Sequence, residues 1–324
     1  MLKSIFGSNW KKSPAHLLFL SKFREPRNLE DISRQDYWQE VLNEKPLKAV
    51  NRFIKDAMIK EGDIYSCMEY KFKVSELKKM LKAQDLKQSG RKAELIARLV
   101  DNDSEGMKRA VSGLKIYNCT SVGFEIVEKY LEDENQKRAL AENETISLLR
   151  KRKFKQASKV VAIYEAAQVF PRGIGIDWQN HDTNYDERLL KYIFNNFPSI
   201  LDGLEKDKRE PLRIVAGMMW LWGRNRGDVW IDDNFETGIR FDADTSARMI
   251  WFHAKHLVEI EDYQRDMYFK KVGISGANDE LVCDECKAIQ GKIFNLNQVP
   301  ELPLPNCTSE MGCRCSTFVG FDLE

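Results

Sequence analysis

The chain has no long apolar run. The longest candidate near its start, Leu17 to Leu20, falls far short of the roughly 20 residues a membrane span needs, and is also too short for a signal-peptide core. The expectation is a soluble, intracellular protein with no membrane partner. Net charge is also nearly absent: 51 Lys and Arg stand against 50 Asp and Glu, leaving +1. A uniformly basic nucleic-acid binder is thereby excluded, and any affinity for an acidic polymer must come from a local patch. Histidine is scarce, with four in 324 residues. No internal repeat of 20 to 50 residues is visible, which argues against a solenoid. Against these absences stands a hydrophobic fraction of 43%, enough for packed cores, and a length that suggests two or three domains.

Cysteine is sparse except at one end. Five of the seven lie between Cys283 and Cys315, and Cys67 and Cys119 stand alone. In a reducing compartment a tight group of this kind points to metal rather than disulfides, and the isolated pair reads as small buried hydrophobes.

The pattern is mainly α and multi-domain. Residues 1–66 read as a basic, partly extended arm to about residue 34, then a helical stretch whose apolar face would hold Trp38, Val41, Leu42, Leu47, Val50, Phe53, Ile54 and Met58, broken near Pro46. Residues 67–104 form a separate small module, and 105–275 a mainly helical centre. Within that centre, Val122 to about Gln168 is helical, with a basic run from Arg150 to Lys159 expected to be a solvated face packing through Leu149, Ala157, Val160 and Tyr164. A loop rich in Gly and Pro follows at 171–178, then helices at 186–204 and 211–222. The Gly- and Asp-rich stretch 223–245 suggests a short hairpin, Val229–Ile231 with Ile239–Phe241. A long helix starting near Asp244 or Thr245 should run to about Lys271. Residues 276–324 carry the cysteines.

Within the second segment, Val74, Leu77, Met80 and Leu81 would share one face of a short helix. Leu95, Ile96 and Leu99 would share the facing stripe of another, and Leu86 in the turn would plug the space between them. Between Lys71 and Arg98 there are nine Lys/Arg and three Asp/Glu, a net of +6, so the rest of the chain sums to −5. Ser89 is a candidate N-cap for the second helix, Gly90 permits close backbone approach, and the positive helix end with Arg91 and Lys92 makes a phosphate site. Lys78, Lys82, Lys87 and Arg98 complete the candidate DNA-contacting set. The order Leu-Lys-x-x-Leu, turn, Gly-x-Lys-x-x-Leu-Ile-x-Arg-Leu resembles the SAP family over about residues 69–103. The resemblance implies a helix–turn–helix that docks on duplex DNA with little base readout. One departure is Asp85, where the family usually has glycine.

The tail reads Cys283-x-x-Cys286, twenty residues, Cys307, five residues, then Cys313-Arg314-Cys315. Two residues between cysteines let both sulfurs face one ion, and four thiolates suit one structural zinc in a tetrahedron. Cys283, Cys286 and Cys307 are three candidate ligands, and spacing alone leaves Cys313 and Cys315 open as the fourth, in a zinc-ribbon-like domain. Residues 279–324 hold eight Asp/Glu and three Lys/Arg, a net of −5, which favours protein contacts over DNA. The tail also resembles the C-terminal part of the phage head morphogenesis family (Mu F-like). The matches are Cys283, Cys286, Gly291-Lys292-Ile293-Phe294, Pro303, Pro305 and Cys313-Arg314-Cys315, and the family's histidine is absent.

No specific catalytic constellation emerges. His253 and His256 lack a metalloenzyme pattern, and His181 with Asp177 and Asp182 reads foremost as an Asp-rich turn. Trp220-Leu221-Trp222-Gly223-Arg224-Asn225-Arg226 mixes aromatics and arginines, a combination that stacks on single strands but more often packs on a core. Three readings follow. The first is a non-enzymatic protein tethered to duplex DNA, contacting other proteins through its centre and zinc-stabilised tail. The second is a minor head morphogenesis component, virion- or prophage-encoded. The third is a DNA-processing enzyme with an unrecognised central site.

Overall fold

The computed structural model describes residues 10–224, 227–266 and 270–319. Its helices are α1 (Pro14–Ser21), α2 (Leu29–Ser33), α3 (Tyr37–Leu42), α4 (Pro46–Lys55), α5 (Ile64–Lys71), α6 (Val74–Ala83), α7 (Lys92–Asn102), α8 (Ser104–Ala110), α9 (Ser121–Arg150), α10 (Phe154–Ala166), α11 (Thr183–Asn195), α12 (Lys206–Trp222), α13 (Ala243–Arg265) and α14 (Asp284–Ile289). The strands are β1 (Arg27–Asn28), β2 (Ile59–Glu61), β3 (Ile116–Cys119), β4 (Lys271–Ser275), β5 (Ile293–Asn295) and β6 (Ser316–Val319). The chain divides into two compact units, Met1–Lys137 and Arg138–Glu324, and the division falls inside α9. Among the described residues no helix is long and apolar enough to cross a membrane.

The first unit has two apolar cores. One gathers Trp10, Phe19, Leu20 and Phe23 with Trp38, Phe53 and Val127. Residues 10–24 are therefore not an extended arm. The basic side chains around Leu17–Leu20 lie outside the packed run, and Lys3 lies outside the described residues. Pro46 begins α4, where its missing N–H costs nothing. Leu47 and Ile54, expected on the buried face, are exposed. The second core joins Leu77, Leu81, Leu95 and Leu99 to Met68 before them and to Met107, Val111 and Ile116 after them. The sheet β1-β3-β2 is antiparallel throughout, with Arg27 opposite Tyr117 and Ile59 opposite Cys119.

In the second unit α10–α13 and the last fifty residues share one core, in which Leu212, Ile250, Val258, Ile274, Leu302 and Cys307 are all buried. The expected boundary at 275 is not a border between cores. The basic run is interrupted where Arg152 takes a left-handed backbone (φ 58°), which ends α9 before α10 starts. The predicted hairpin at 229–241 does not form; Asp228–Trp230 is a 3₁₀ turn, and among the described residues no strand follows until β4. Helix α13 is capped by Asp242, two positions before Asp244, and its carboxylate accepts the Thr245 N–H at 2.7 Å. It stops at Arg265 rather than near Lys271, because residues 271–275 are drawn into the sheet β5-β4-β6. In that sheet Lys271 lies opposite Asn295, and Gly273 opposite Phe318.

Candidate nucleic-acid interface and candidate metal centre

The β4–β6 frame gathers the cysteines. Cys283 and Cys286 lie on the crossing from β4 to β5 at the start of α14, Cys307 on the crossing from β5 to β6, and Cys313 and Cys315 immediately before β6. Cys307 Sγ is 3.6 Å from Cys283 Sγ and 3.6 Å from Cys286 Sγ, and Cys286 Sγ is 3.8 Å from Cys313 Sγ. Thiolates at about 2.3 Å from one zinc are about 3.8 Å apart along the edges of a tetrahedron, so these spacings fit one ion. The five sulfurs form two overlapping groups that share Cys286: Cys283, Cys286 and Cys307, and Cys286, Cys313 and Cys315. Among the described residues these are the groups of His, Cys, Asp and Glu that could hold a metal ion. Cys313 also accepts the Leu304 N–H at 3.4 Å.

The sulfurs cannot all ionise side by side without a cation. Burial pushes the Cys283 thiol up, but backbone N–H groups of Cys286 and Thr308 and the neighbouring thiols outweigh it and bring Cys283 down to about 6. Burial and the charge of Cys313 raise Cys286, and hydrogen bonding to Cys313 with burial raises Cys307. Thiols grouped this closely ionise together only with a positive charge among them.

The basic module is built by two helices and a tight turn. At the end of α6, Asp85 adopts a left-handed backbone (φ 54°). Its N–H donates to Lys82 O at 3.2 Å, and the Leu86 N–H donates to Leu81 O at 2.9 Å. This pair is a Schellman motif, and it turns Leu86 back onto the helix. Asp is one of the few non-glycine residues that enters this region readily, so the departure at Asp85 preserves the turn. Leu77, Leu81, Leu95 and Leu99 are fully buried and Ile96 is 2% exposed, whereas Val74, expected on the same face, is 41% exposed.

Residues 71–104 match the family model of the SAP domain. Neither the curated proteins nor the solved structures gave a match to the chain. The SAP domain is generally a DNA-binding module, and here it lies within the first unit with α5 and α8 packed on α7.

The candidate contacts divide into two kinds. Lys78, Lys82, Lys87, Ser89, Gly90 and Arg91 are exposed. Lys92 and Arg98 are half-buried and turned onto the backbone: Lys92 Nζ donates to Glu69 O at 2.5 Å, and Arg98 Nη1 donates to Lys87 O and, at 3.4 Å, to Ser89 O. Those two brace the turn. Ser89 is not the N-cap. Helix α7 starts two residues later, at Lys92, with Arg91 at the cap position. The Glu94 carboxylate accepts the Arg91 N–H at 3.2 Å, the glutamate half of a capping box. Glycine is favoured at 90 by its φ of 131°, a backbone conformation that other residues rarely adopt. The positive helix end that the sequence offers to a phosphate is therefore shared with a carboxylate, a feature visible only once the cap is placed.

The remaining candidates are accounted for structurally. His253 Nδ1 lies 2.9 Å from Leu302 O, and His256 is buried. Trp222 is 2% exposed and Trp220 donates its indole N–H to Asp186 at 2.8 Å, so these tryptophans face inward; Asn225 and Arg226 lie outside the described residues. The group of His181, Asp177 and Asp182 does not assemble. Asp177 accepts the Gln179 and Asn180 N–H groups in a local turn, and Asp182 caps α11 by accepting the Asn184 N–H at 2.9 Å. His181 instead meets Asp186, with Nε2 2.8 Å from Oδ2. Nothing in the sequence pattern marks Asp186, because its partners come from three separate segments.

Proposed function

We propose that the protein binds duplex DNA through the phosphate backbone with its SAP domain, and that a single zinc ion stabilises its C-terminal end for contacts with other proteins. The observation that carries the DNA reading is the exposure of Lys78, Lys82, Lys87 and Arg91 on a module of net charge +6 within a chain of net +1. Charge of that density binds phosphates by releasing counterions, and base edges play little part. The zinc reading rests on the sulfur spacings, with Cys283, Cys286 and Cys307 as three ligands and Cys313 or Cys315, both grouped with Cys286, as the fourth. With four thiolates no position remains for a catalytic water, so the centre holds structure. The test is a salt titration of duplex binding. Arg91→Ala with Lys92→Ala should weaken binding to all sequences alike and lower the slope of log K against log salt by about 1 to 2. Because Lys92 also braces Glu69 O, the single Arg91→Ala variant must show about half that change. An unaltered slope in both variants would remove the SAP domain from the interface.

A second reading, a minor head morphogenesis component, draws on one observation. The motif elements of that resemblance, Cys283-x-x-Cys286, Gly291–Phe294 and Cys313-Arg314-Cys315, converge on the single sheet β5-β4-β6. Light scattering separates the two readings: an assembly component forms rings or large oligomers, and a tether of the first kind does not need to.

A further inference from the structure

We propose that the open cleft between α10 and the loop leading into α11 is a phosphate-binding site built from His181, Lys155 and Lys159. The cleft has a volume of about 620 Å³. Lys155, Lys159, Gln179, His181 and Thr183 supply its polar lining, Ile163 and Trp178 much of its apolar wall, and no carboxylate lines it among the described residues. A surface with Lys, His and Thr converging on one concavity and no acid opposite them has the sign and the donors of an anion site.

His181 is held in a way that its surface position alone does not require. Asp186 is buried and accepts from Ser158 Oγ at 2.5 Å and from Trp220 Nε1 at 2.8 Å, besides facing His181 Nε2 at 2.8 Å. Three donors around one carboxylate fix it as the ionised acceptor and place the imidazole proton on Nε2. Nδ1 is then the ring's uncommitted nitrogen, with no partner among the described residues, and it donates to a phosphate oxygen only when a second proton makes the ring an imidazolium. The ring lies against Trp178, centroids 4.9 Å apart at 32°. Trp178 is itself pinned, donating its indole N–H to Arg172 O at 2.5 Å beneath the Arg172 guanidinium. Arg172 is anchored by Glu165 and by Leu221 O. An imidazole held at Nε2 and on one face presents its other nitrogen in a constant direction, which is the preorganisation a binding site needs.

The rest of the cleft selects the ligand. Lys155 uses one donor on Asn184 Oδ1 at 2.9 Å and keeps two, and Lys159 has no partner among the described residues. Thr183, also on the lining, offers a hydroxyl. Two ammonium groups and a doubly protonated imidazole suit a dianion with several oxygens, a phosphate monoester, better than a single carboxylate. Ile163, 61% exposed on the cleft wall, gives the ester's organic group an apolar surface. A purely structural role for the Asp186 network would explain the burial of Ser158 and Trp220, but not the lysines or the missing acids. The basic run is a solvated face, as its sequence suggests, with Leu149 and Ala157 buried beneath it, and Lys155 and Lys159 on that face line the cleft.

Ring signals of labelled histidine in the full chain, titrated with inorganic phosphate against chloride at matched ionic strength, test the site. His181→Gln assigns the signal. A saturating shift of His181 that chloride does not produce is expected, with affinity at least tenfold weaker in Lys155→Ala with Lys159→Ala. Both lysines are exposed, so this variant should melt where the parent does. A shift that chloride reproduces, or equal phosphate affinity in the double variant, overturns the proposal. The source of the phosphate is settled by comparing adenosine monophosphate with a DNA duplex in the Arg91→Ala, Lys92→Ala background. Tighter binding of the nucleotide assigns a small-molecule ester, and tighter binding of the duplex assigns a nucleic-acid backbone.

Discussion

The SAP domain and the cysteine centre are both small and solve the same problem with opposite materials. In the SAP domain the buried side chains are aliphatic: Leu77, Leu81, Leu95 and Leu99 fill the space between α6 and α7, and the charge stays outside. At the cysteine centre the fully buried groups include Cys307 and Cys313 themselves, and these are the groups that would carry charge. The first module needs only the hydrophobic effect and caps; the second, with its thiols ionised, would need a cation beside them. The difference teaches where each will fail. Removing metal should collapse one and spare the other, and removing a methyl group should do the reverse.

The largest expected effect is metal removal. Apparent binding energies of structural zinc in small peptides are about 10–16 kcal/mol at neutral pH, and that energy appears as folding. Protein purified without added metal should carry about one zinc per chain, and chelation should open the last fifty residues to proteolysis while the SAP domain stays protected. Cys286→Ser removes the sulfur common to both cysteine groups and should abolish stoichiometric zinc. Less than about 0.2 zinc per chain in soluble, reduced, folded protein, or full occupancy in the variant, would end the metal reading. The mirror experiment is Leu95→Ala. It leaves a cavity in a fully buried site and should cost about 2–5 kcal/mol. Hydrogen exchange in α6 and α7 should accelerate while zinc content is unchanged; coupled loss of zinc would break the comparison.

A third prediction concerns pH in the second unit. His256 is 6% exposed, and its imidazole is pushed down to about 4, chiefly by burial, with His253 adding repulsion. The unfolded chain takes up this proton near 6.5 and the folded one only near 4. Between those values the unfolded state binds more protons, so stability falls as pH drops. The contribution is fully present above about pH 6.5 and is lost through that window, a total of about 3 kcal/mol. Denaturant titrations of zinc-loaded protein between pH 7 and 5 should show the slope, and His256→Gln should flatten it. An equal slope in the variant would place the titration elsewhere.

What could be read from sequence was what nearest neighbours decide. The SAP domain has its apolar spacing, turn and charges within 34 consecutive residues, and the cysteines announce themselves by spacing. The turn at Asp85 holds because its Schellman bonds are local. Illegible features had partners far along the chain. Trp10 and Phe19 are buried against Phe53 and Trp38, and a stretch that looks like a basic arm becomes core only with those partners present. Strands β4 and β6 pair across more than forty residues, and residues 271–275 read as a helix end without that edge. His181 sits between two aspartates in sequence, yet both are committed to backbone N–H groups, and the one that reaches it comes from inside α11. Local capping outcompeted the sequence neighbours for the same carboxylates.

The smallest expected effect sharpens the reading of the SAP domain itself. Glu94 is exposed and occupies the start of α7, where its carboxylate satisfies the Arg91 N–H. That contact stabilises the helix, but it places a negative charge where a DNA phosphate would approach. Glu94→Gln keeps an oxygen that accepts the same N–H and removes the charge, so the cap survives while the repulsion goes. Duplex affinity at low salt should rise about threefold, or roughly 0.6 kcal/mol, within the range of exposed charge–dipole effects at helix ends. The gain should shrink as salt is added, because an exposed charge is screened over about 10 Å at 0.1 M. Glu76→Gln is the control: Glu76 makes the same cap contact to the Lys73 N–H at 2.7 Å at the start of α6, and it lies at the other helix start, away from the turn. Tighter binding in the Glu94 variant alone locates the phosphate at the start of α7. Equal gains in both variants would mean that only overall charge matters, and no gain in either would move the interface off this turn.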